Sequence, residues 1–512
     1  MRTLSTVVGY RLLGGAGAAL LAGAGLAAGA LPVGAHTAWW TALRQLAGPG
    51  LLCGYAGLTL LAVAWWWAGR HLRPAPPAVE TQVGHPVPAP RVAAADVGHP
   101  VSALRVAAAQ VGHPVSTPVG DPRVWRSAAL TLACWAAPLL VGPPLFSRDA
   151  YSYLAQGAMV LADIDVYRHG VAQLGGGLAA EVPQMWQQTP APYGPVFVAM
   201  AAVVSAVTGG KLVLGVLGLR LVALAGVGLL VAYLPRLARH CGVDPAAALW
   251  LGVLNPLVPL HLVAGAHNDA VMLGLLVAGL SLAFERRYGV ATVLVTLAAL
   301  VKVPAVVGLL VVVSLAARHR GLPASVARTG GVAVGTAAVV SWVTGIGYGW
   351  IGALGTPVYR HSWSISSALG RVALRTAGRL DLHVGDAPMR LCLGLGVAAA
   401  LAVAVAAWWH RRRLGPAYAL GLVLVAVALL GPATRPWYAL WGLVLIAAAA
   451  PHGRARPAAA LGAVVLAFVA LPSGFGPDAA QVVLAATGVL VGLLAVGSLR
   501  LLLPSAPVRV AP

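Results

Sequence analysis

The chain has 512 residues, of which 59% are hydrophobic and only 9% are charged. A soluble globular domain carries about 25% charged residues, so this composition excludes one. The formal net charge of +21 would suggest nucleic-acid binding in a soluble protein, but here the basic residues lie between apolar runs, as the positive-inside rule requires of a membrane protein. The four cysteines have no CxxC spacing, which argues against a disulfide framework or a zinc site.

Apolar runs rich in Leu, Ala and Val recur along the chain, and most are long enough to cross a bilayer as helices. They do not alternate with polar residues, which argues against membrane-spanning strands. The sequence therefore predicts an all-α polytopic membrane protein with about 14 spans. The predicted helices lie near residues 10–32, 49–68, 127–146, 212–234, 246–264, 269–284, 289–301, 303–317, 327–346, 388–409, 415–431, 436–450, 457–472 and 479–503.

A low-complexity segment interrupts this pattern between residues 70 and 124. The pentapeptide VGHPV occurs there at 83–87, 97–101 and 111–115. Proline in every copy and few large apolar residues leave little to bury, so we interpret the segment as a disordered cytoplasmic linker rather than a histidine-based metal site. The predicted divisions are two N-terminal transmembrane helices in 1–69, the linker in 70–124, a membrane core in 125–451, and C-terminal transmembrane helices with a short tail in 452–512.

Arginine-rich loops predict the orientation, because such loops stay in the cytoplasm. The linker and Arg411–Arg413 are the clearest of them. The polar segment 147–193, called the polar island below, then faces outside. Residues 194–208 are apolar but would invert this scheme if they crossed the membrane, so we expect an interfacial or re-entrant helix there.

The polar island holds four of the 13 acidic residues of the chain. A carboxylate beside the bilayer is costly unless it is paired, solvated or used. Asp149 follows Arg148, which we expect to keep the carboxyl ionised by lowering its pKa, as a general base requires. A capped interfacial loop, whose acids only balance Arg148 and Arg168, explains the same pattern equally well. The candidate substrate-binding residues of the polar island are Arg148, Tyr153, Gln156, Asp165, Tyr167 and Tyr193.

A second polar group surrounds a predicted helix break at Asn255-Pro256. An Asn-Pro pair inside an apolar helix frees backbone carbonyls, which is tolerated only against protein or a water-filled cavity. His261 follows, and His267, Asn268 and Asp269 stand together at the outer end of the next helix. These side chains favour a substrate-binding role. Two alternatives stay open, namely a divalent ion on the His/Asp pair and an N-cap by Asn268 or Asp269.

Two cations, Lys302 and Arg435, interrupt apolar sequence on the outer side. A lysine there is expensive unless it meets an anion, so a phosphate ligand and a snorkelling side chain are both open interpretations. Arg435 has the same capacity to clamp phosphate, next to Tyr438. The loop 348–386 adds Tyr359, Arg360, His361 and Ser362. Cations, acids and aromatic side chains gathered on one side suggest a lipid-phosphate headgroup and a sugar.

Assembled, these motifs resemble a known family. They are RDAYSYLAQG at 148–157, Asp165-Val166-Tyr167 in place of a more usual Asp-Pro-Tyr, TPAPYGP at 189–195, GAHNDA at 265–270, LVKVP at 300–304 and TRPWY at 434–438. They are similar to the motifs of actinobacterial polyprenol-phosphomannose-dependent α-1,6-mannosyltransferases of the glycosyltransferase C superfamily, from about Trp125 to Pro451. The resemblance implies a glycosyltransferase C-type multi-span helical bundle with a catalytic extracytoplasmic first large loop.

The resemblance also implies the reaction, an inverting transfer of mannose from a polyprenyl-phosphate donor to a glycolipid or mannan acceptor. The transfer would occur outside the cytoplasmic membrane and form an α-1,6 linkage. By position, Asp149 is the implied general base, and Lys302 and Arg435 are candidates to neutralise the leaving phosphate. The residues left to orient sugar hydroxyls are Asp165, His267 and Asp269, while Asp163 and Glu181 are expected to be surface charges.

Neither a metal-ligand set nor a nucleic-acid partner is expected, and a divalent cation stays open because some members of the superfamily use one. A transporter or flippase of lipid-linked sugars is the alternative from another class. Against it, the polar clusters lie at helix ends and not near the bilayer midplane. A related transferase for another sugar, such as arabinofuranose, also stays open, because nothing in the sequence reads the identity of the sugar.

Overall fold

The computed structural model describes residues 2–34, 38–72, 122–353, 362, 364–451 and 453–502. Most of the predicted linker 70–124 lies outside the described residues, as do Tyr359, Arg360 and His361. Every regular element in the described part of the chain is a helix, which confirms the all-α prediction.

The helices follow the predicted apolar runs closely. The N-terminal part contains α1 (Arg2–Ala28), α2 (Ala38–Gln45), α3 (Ala47–Leu72), α4 (Pro122–Ala136), α5 (Asp149–Leu161), α6 (Gly176–Glu181) and α7 (Gln184–Gln187). The central part contains α8 (Pro195–Thr208), α9 (Leu212–His240), α10 (Pro245–Gly252), α11 (Asp269–Phe284), α12 (Tyr288–Val301), α13 (Gly308–Arg320) and α14 (Leu322–Val343). The C-terminal part contains α15 (Trp350–Ala353), α16 (Ile365–Arg379), α17 (Ala387–Trp409), α18 (Arg411–Leu414), α19 (Pro416–Leu430), α20 (Leu440–Ala449), α21 (Ala455–Val469) and α22 (Ala479–Leu502). Short 3₁₀ turns cover Ala137–Leu140, Val171–Gln173, Val303–Val307 and Pro436–Ala439, and a π-helix covers Val258–Ala264.

Within the described residues, seven helices are long and apolar enough to cross a membrane. An eighth span results if the π-helix and α11, which are bent by 113° relative to each other, form one broken span. Five shorter apolar helices accompany them, α8 and α12 among these. A polytopic helical architecture is therefore established, while the number of about 14 spans stays a prediction.

One predicted helix is shorter than expected. The apolar run 127–146 forms α4 only as far as Ala136, continues as a 3₁₀ turn to Leu140, and then leaves helical geometry before Asp149. Pro138 and the pair Pro143-Pro144 explain the difference, because proline lacks the amide proton that a continuing helix requires.

The apolar segment 194–208 forms α8, which packs against α5 and ends at Gly209 in the left-handed region (φ 58°). Its 14 residues extend about 21 Å, less than the ~30 Å hydrocarbon core of a bilayer. This length suits an interfacial or re-entrant helix, and that placement stays a prediction.

The core of the molecule is formed by helices that are buried on every side. Nearly all residues of α11 and α20 are buried, whereas α14 and α17 are largely exposed. A helix that is apolar and buried all round belongs to the interior, and an exposed apolar helix is suited to face lipid. Helices α9 and α11 approach each other closely through glycine, because a Cβ on Gly226 would lie 2.4 Å from the backbone of Ala270. This contact holds the first turn of α11, with Asp269, inside the protein.

Candidate active site

Asp149 begins α5, directly after the irregular segment that follows α4. Its backbone N–H donates to Ser147 Oγ at 3.0 Å, and its side chain is 27% exposed. The carboxylate is therefore the reachable acid of the site, held at a helix start and open to a cleft.

Two cavities share the wall that contains Asp149. The first, here the tyrosine cavity, has a volume of about 220 Å³, and the second, here the loop cavity, has a volume of about 270 Å³. Besides Asp149, both cavities are lined by Trp186, Arg435 and Trp437. The tyrosine cavity is otherwise lined by Ser152, Gln156, Val171, Val182, Thr189, Pro190, Pro192, Tyr193, Ser362, Ala433, Thr434 and Tyr438. The loop cavity is otherwise lined by Phe146, Ser147, Arg148, Pro183, Met185, Pro436, Ala470, Gly474, Phe475 and Gly476.

His267 is a close titratable neighbour of Asp149, with Nδ1 at 3.6 Å from Asp149 Oδ2. The same nitrogen lies 3.3 Å from the hydroxyl of Tyr153, and the imidazole stacks on Trp437 with ring centroids 3.8 Å apart. The structure thus brings together residues from the first and second predicted groups. Packing on an aromatic ring and a hydroxyl restricts His267 to one orientation, in which it can orient the carboxylate.

The predicted helix break explains how His267 reaches this position. Asn255 Nδ2 donates to Leu251 O at 2.9 Å and Asn255 Oδ1 accepts from Leu257 N at 3.1 Å, so this side chain bonds the backbone on both sides of the break. The chain then forms the π-helix and turns through 113° into α11. Helix α10 ends at Gly252, before this pair, which confirms the predicted break at Asn255-Pro256.

His261 and Asn268 lie behind the cavities and line neither of them. The ring of His261 lies between Phe146 and Trp437, with centroids 5.4 Å and 5.3 Å away. Among the described residues, neither ring nitrogen of His261 and neither amide atom of Asn268 has a hydrogen-bond partner. Asn268 does occupy the N-cap position of α11, but its side chain makes no capping bond, so the N-cap alternative is wrong for this residue.

Asp269 and Lys302 form a buried ion pair with each other. Lys302 Nζ donates to both carboxylate oxygens, at 2.8 Å and 3.0 Å, and Trp441 Nε1 also donates to Asp269. The ammonium lies 4.5 Å from the ring centre of Tyr438 and 5.8 Å from that of Tyr193, and Lys302 lines neither cavity. The anion that Lys302 contacts is therefore a protein carboxylate. The two sequence interpretations, a phosphate ligand and a snorkelling side chain, did not include this partner.

Arg148 is turned away from Asp149, which corrects the expectation of a pair between sequence neighbours. Its guanidinium donates to Leu31 O at 2.7 Å and to the side chain of Glu181 at 3.0 Å. Glu181, expected to be a surface charge, is only 5% exposed and also accepts from the backbone N–H groups of Val33 and Gly34. Arg148 and Glu181 therefore tie the polar island to the segment after α1.

The charges that act on Asp149 come from elsewhere in the fold. Burial in the cleft raises the pKa of the Asp149 carboxyl above its ordinary value, and the positive charges of Arg435 and Lys302 oppose this rise. The expected lowering of the pKa by Arg148 is therefore wrong. Arg435 has no carboxylate partner within 4 Å among the described residues, which leaves its guanidinium available to an anion in either cavity.

Asp165 and Tyr167 lie outside both cavities. Asp165 is exposed, accepts from Tyr167 N at 2.8 Å and lies 3.5 Å from Arg168. The Tyr167 hydroxyl donates to Tyr193 O at 3.0 Å, which supports the wall of the tyrosine cavity from behind. Asp163 is exposed, as expected. Across the described ranges, no group of three or more His, Cys, Asp or Glu side chains is arranged to hold a metal ion.

Arg220 is a supporting residue that the sequence analysis missed. It lies 2% exposed inside α9, and its guanidinium donates to Ala264 O, just before the bend into α11, and to Leu140, Gly142 and Pro143 O, just before Asp149. It therefore joins the two segments that carry His267 and Asp149. A lone arginine in a long apolar run was the available signal, by the same argument that singled out Lys302.

Most of the chain is similar in sequence to known protein families. A family model described as alpha-(1->6)-mannopyranosyltransferase, N-terminal domain, matches residues 11–318, and one described as MptB C-terminal domain matches residues 366–501. A Mycolicibacterium smegmatis protein named probable alpha-(1->6)-mannopyranosyltransferase is 38% identical, over 61% of this chain and 63% of its own length. Alpha-(1->6)-mannopyranosyltransferase A of Mycobacterium tuberculosis is 36% identical, over 61% of this chain and 63% of its own length. Alpha-(1->6)-mannopyranosyltransferase B of Corynebacterium glutamicum is 36% identical, over 61% of this chain and 57% of its own length.

The chain thus spans less than two thirds of the length of these relatives. No solved structure matches it. The part that does match includes Asp149, His267 and Lys302 in the N-terminal match and Arg435 in the C-terminal one.

Proposed function

This chain belongs to the alpha-(1->6)-mannopyranosyltransferase family, and from that premise we propose that it is an integral-membrane glycosyltransferase. It moves mannose from a polyprenyl-phosphate donor to a mannan or glycolipid acceptor in α-1,6 linkage, on the extracytoplasmic face of the cytoplasmic membrane. The observation that carries this proposal is a carboxylate, Asp149, in the wall common to two cavities, with Arg435 in the same wall. A transferase has to bring two substrates to one base, and each cavity offers room for one of them.

In the proposed reaction, a 6-hydroxyl oxygen of the acceptor attacks the anomeric carbon of the donor mannose from the face opposite the phosphate. The new glycosidic C–O bond forms while the bond to the phosphate oxygen breaks, and that electron pair leaves with the polyprenyl phosphate. Displacement from the opposite face inverts the anomeric centre. Asp149 takes the hydroxyl proton, and Arg435 stabilises the charge that develops on the leaving phosphate.

The other polar residues act through these two groups. His267 orients the Asp149 carboxylate from 3.6 Å. Lys302 is bonded to Asp269, yet its charge still lowers the pKa of Asp149 and so favours the ionised base. We assign Arg148 and Tyr167 to the support of the cavity walls and not to substrate contact, because each is bonded to protein groups.

The test is transfer by the full chain in isolated membranes, supplied with labelled polyprenyl-phosphate mannose and an α-mannoside acceptor. Asp149→Asn should lower kcat by about 10²–10⁴-fold, since it removes the base and leaves the shape of the site. Asp163→Asn is the matched control, because Asp163 is an exposed aspartate with a left-handed backbone (φ 55°) that asparagine also adopts readily. Its activity should equal that of the wild type.

Each alternative predicts a different result in the same assay. Full activity of Asp149→Asn would refute the assignment of the base. Inactivity of the wild-type chain with mannose, but transfer from polyprenyl-phosphate arabinofuranose, would refute the donor sugar. Movement of the lipid-linked sugar across vesicles with no glycosidic product would favour a transporter.

A further inference from the structure

The loop cavity is built from chain segments that connect helices. Its lining comes from the segment before α5, the short helix α7, the 3₁₀ turn Pro436–Ala439 and the loop between α21 and α22. No residue of a long helix beyond its first position contributes to this lining within the described chain. Segments of this kind lie where a polytopic protein meets water, so the loop cavity suits a hydrophilic ligand.

The loop between α21 and α22 is tied closely to the segment that precedes Asp149. Pro472 O accepts from Phe146 N at 2.7 Å. Gly474 has a left-handed backbone (φ 86°), and a Cβ there would lie 2.9 Å from the Cα of Ser147. This contact requires glycine, and it brings the following residue, Phe475, to the cavity wall, where this residue is 52% exposed.

The chemistry of the loop cavity fits a saccharide. Aromatic rings of Phe475, Trp186 and Trp437 line it, and such rings pack against the C–H face of a sugar. Asp149 in its wall is positioned to accept a hydroxyl proton. A pyranoside with a free hydroxyl uses both features, and the proposed α-1,6 linkage makes that hydroxyl the primary one.

The tyrosine cavity has a different character. Ser152 Oγ and Gln156 Oε1 are buried in its wall and have no hydrogen-bond partner among the described residues. Tyr193 and Tyr438 line this cavity, and the Lys302 ammonium lies 5.8 Å and 4.5 Å from the centres of their rings. Orphaned hydrogen-bonding atoms beside positive charge suit a sugar joined to a phosphate.

We propose that the loop cavity is the acceptor subsite, which takes the end of an α-mannoside chain, and that the tyrosine cavity takes the mannosyl phosphate of the donor. The C-terminal loop around Phe475 is then a specificity element for the acceptor. This division rests on the proposed transferase function, and it adds which substrate occupies each cavity.

The experiment measures the KM for each substrate separately, with the full chain in membranes. Phe475→Ala and Gly474→Ala should each raise the KM for an α-mannoside acceptor about tenfold, the loss of one good ring contact, and leave the KM for polyprenyl-phosphate mannose unchanged. Gln156→Leu should do the reverse. Gly415→Ala is the matched control, because Gly415 has a similar left-handed backbone (φ 82°). It also has open space where a Cβ would be added, and it lines neither cavity.

Two outcomes would overturn the division. One is a raised donor KM, with an unchanged acceptor KM, in Phe475→Ala. The other is an acceptor KM in Gly415→Ala that rises as much as in Gly474→Ala, because the effect would then reflect backbone strain alone. Failure of the transferase proposal is a separate result, since the wild-type chain would give no turnover and neither KM could be measured.

Discussion

At Asp149, two effects of opposite sign determine the pH at which the carboxyl ionises. Burial raises its pKa, and the charges of Arg435 and Lys302 lower it, with burial the larger effect. A base whose pKa is raised is stronger once it is ionised, but it loses its charge at a higher pH than an ordinary carboxyl. The raised pKa of Asp149 therefore lowers activity at acidic pH but makes the ionised carboxylate a stronger base near neutral pH.

We predict that kcat/KM falls as the pH drops through this raised pKa, because protonated Asp149 cannot accept a proton. Arg435→Gln removes one of the charges that lower the pKa, so the acidic limb should move to higher pH in addition to any loss of rate. Arg435→Lys keeps the charge and should leave that limb close to its wild-type position. The measurement is a pH profile of kcat/KM for all three proteins. Superimposable acidic limbs for wild type and Arg435→Gln would contradict the electrostatic coupling.

Arg148 and Lys302 illustrate which parts of the site could be predicted from sequence. The sequence correctly identified Lys302 as a charge that requires an anion, whereas it paired Arg148 with the wrong carboxylate, Asp149. Their partners, Glu181 and Asp269, are each 33 residues away, and only the packing of whole helices brings the pairs together. Neighbouring residues at a helix start, such as Arg148 and Asp149, project in different directions, which is why the expected local pair does not form.

At the scale of secondary structure, apolar runs located the helices well, because span length and hydrophobicity are local properties. Asn255-Pro256 likewise predicted its break, since proline acts on its own turn. The early end of α4 was missed, because the run continued apolar through Pro138 and Phe146 although the backbone could not continue as a helix. Hydrophobicity alone therefore overestimates helix length where prolines cluster.

The ion pair between Asp269, at the start of α11, and Lys302, directly after α12, allows a test of the role of Lys302. Lys302→Met leaves Asp269 buried without its cation, which should destabilise the protein by about 3–5 kcal/mol. The double variant Lys302→Met/Asp269→Leu removes both charges and should recover most of that loss. Thermal unfolding in detergent measures the stability, and the transferase assay measures the activity.

The two measurements separate a structural lysine from a phosphate ligand. If the pair mainly holds α11 and the segment after α12 together, the double variant should regain stability and most of its activity. A stable double variant that stays inactive would instead mean that Lys302 or Asp269 acts on the substrates and is not only structural. Equal stability of Lys302→Met and wild type would contradict the ion pair itself.

At the scale of the whole molecule, both cavities take residues from segments far apart in sequence, from Phe146 to Gly476 in the loop cavity and from Asp149 to Tyr438 in the tyrosine cavity. Asp149 at the start of α5 and the turn at Arg435 contribute to both walls, whereas the segment before α5 and the loop before α22 line only the loop cavity. The N-terminal part supplies the proposed base and the C-terminal part supplies the proposed phosphate ligand. Neither part alone supplies both groups, so the proposed site requires the C-terminal region as well.

Cysteine labelling can test on which side of the membrane the proposed site lies. Gly177 is exposed, has open space around its Cα and lies in α6, whose last residue Glu181 is bonded to Arg148 beside the base. In a chain whose four native cysteines are replaced by alanine, Gly177→Cys should react with a membrane-impermeant maleimide on intact cells. Arg412→Cys, exposed in the short helix α18 that the positive-inside rule assigns to the cytoplasm, should react only after permeabilisation. The opposite labelling pattern would put Asp149 on the cytoplasmic side and would contradict an extracytoplasmic reaction, whichever sugar is transferred.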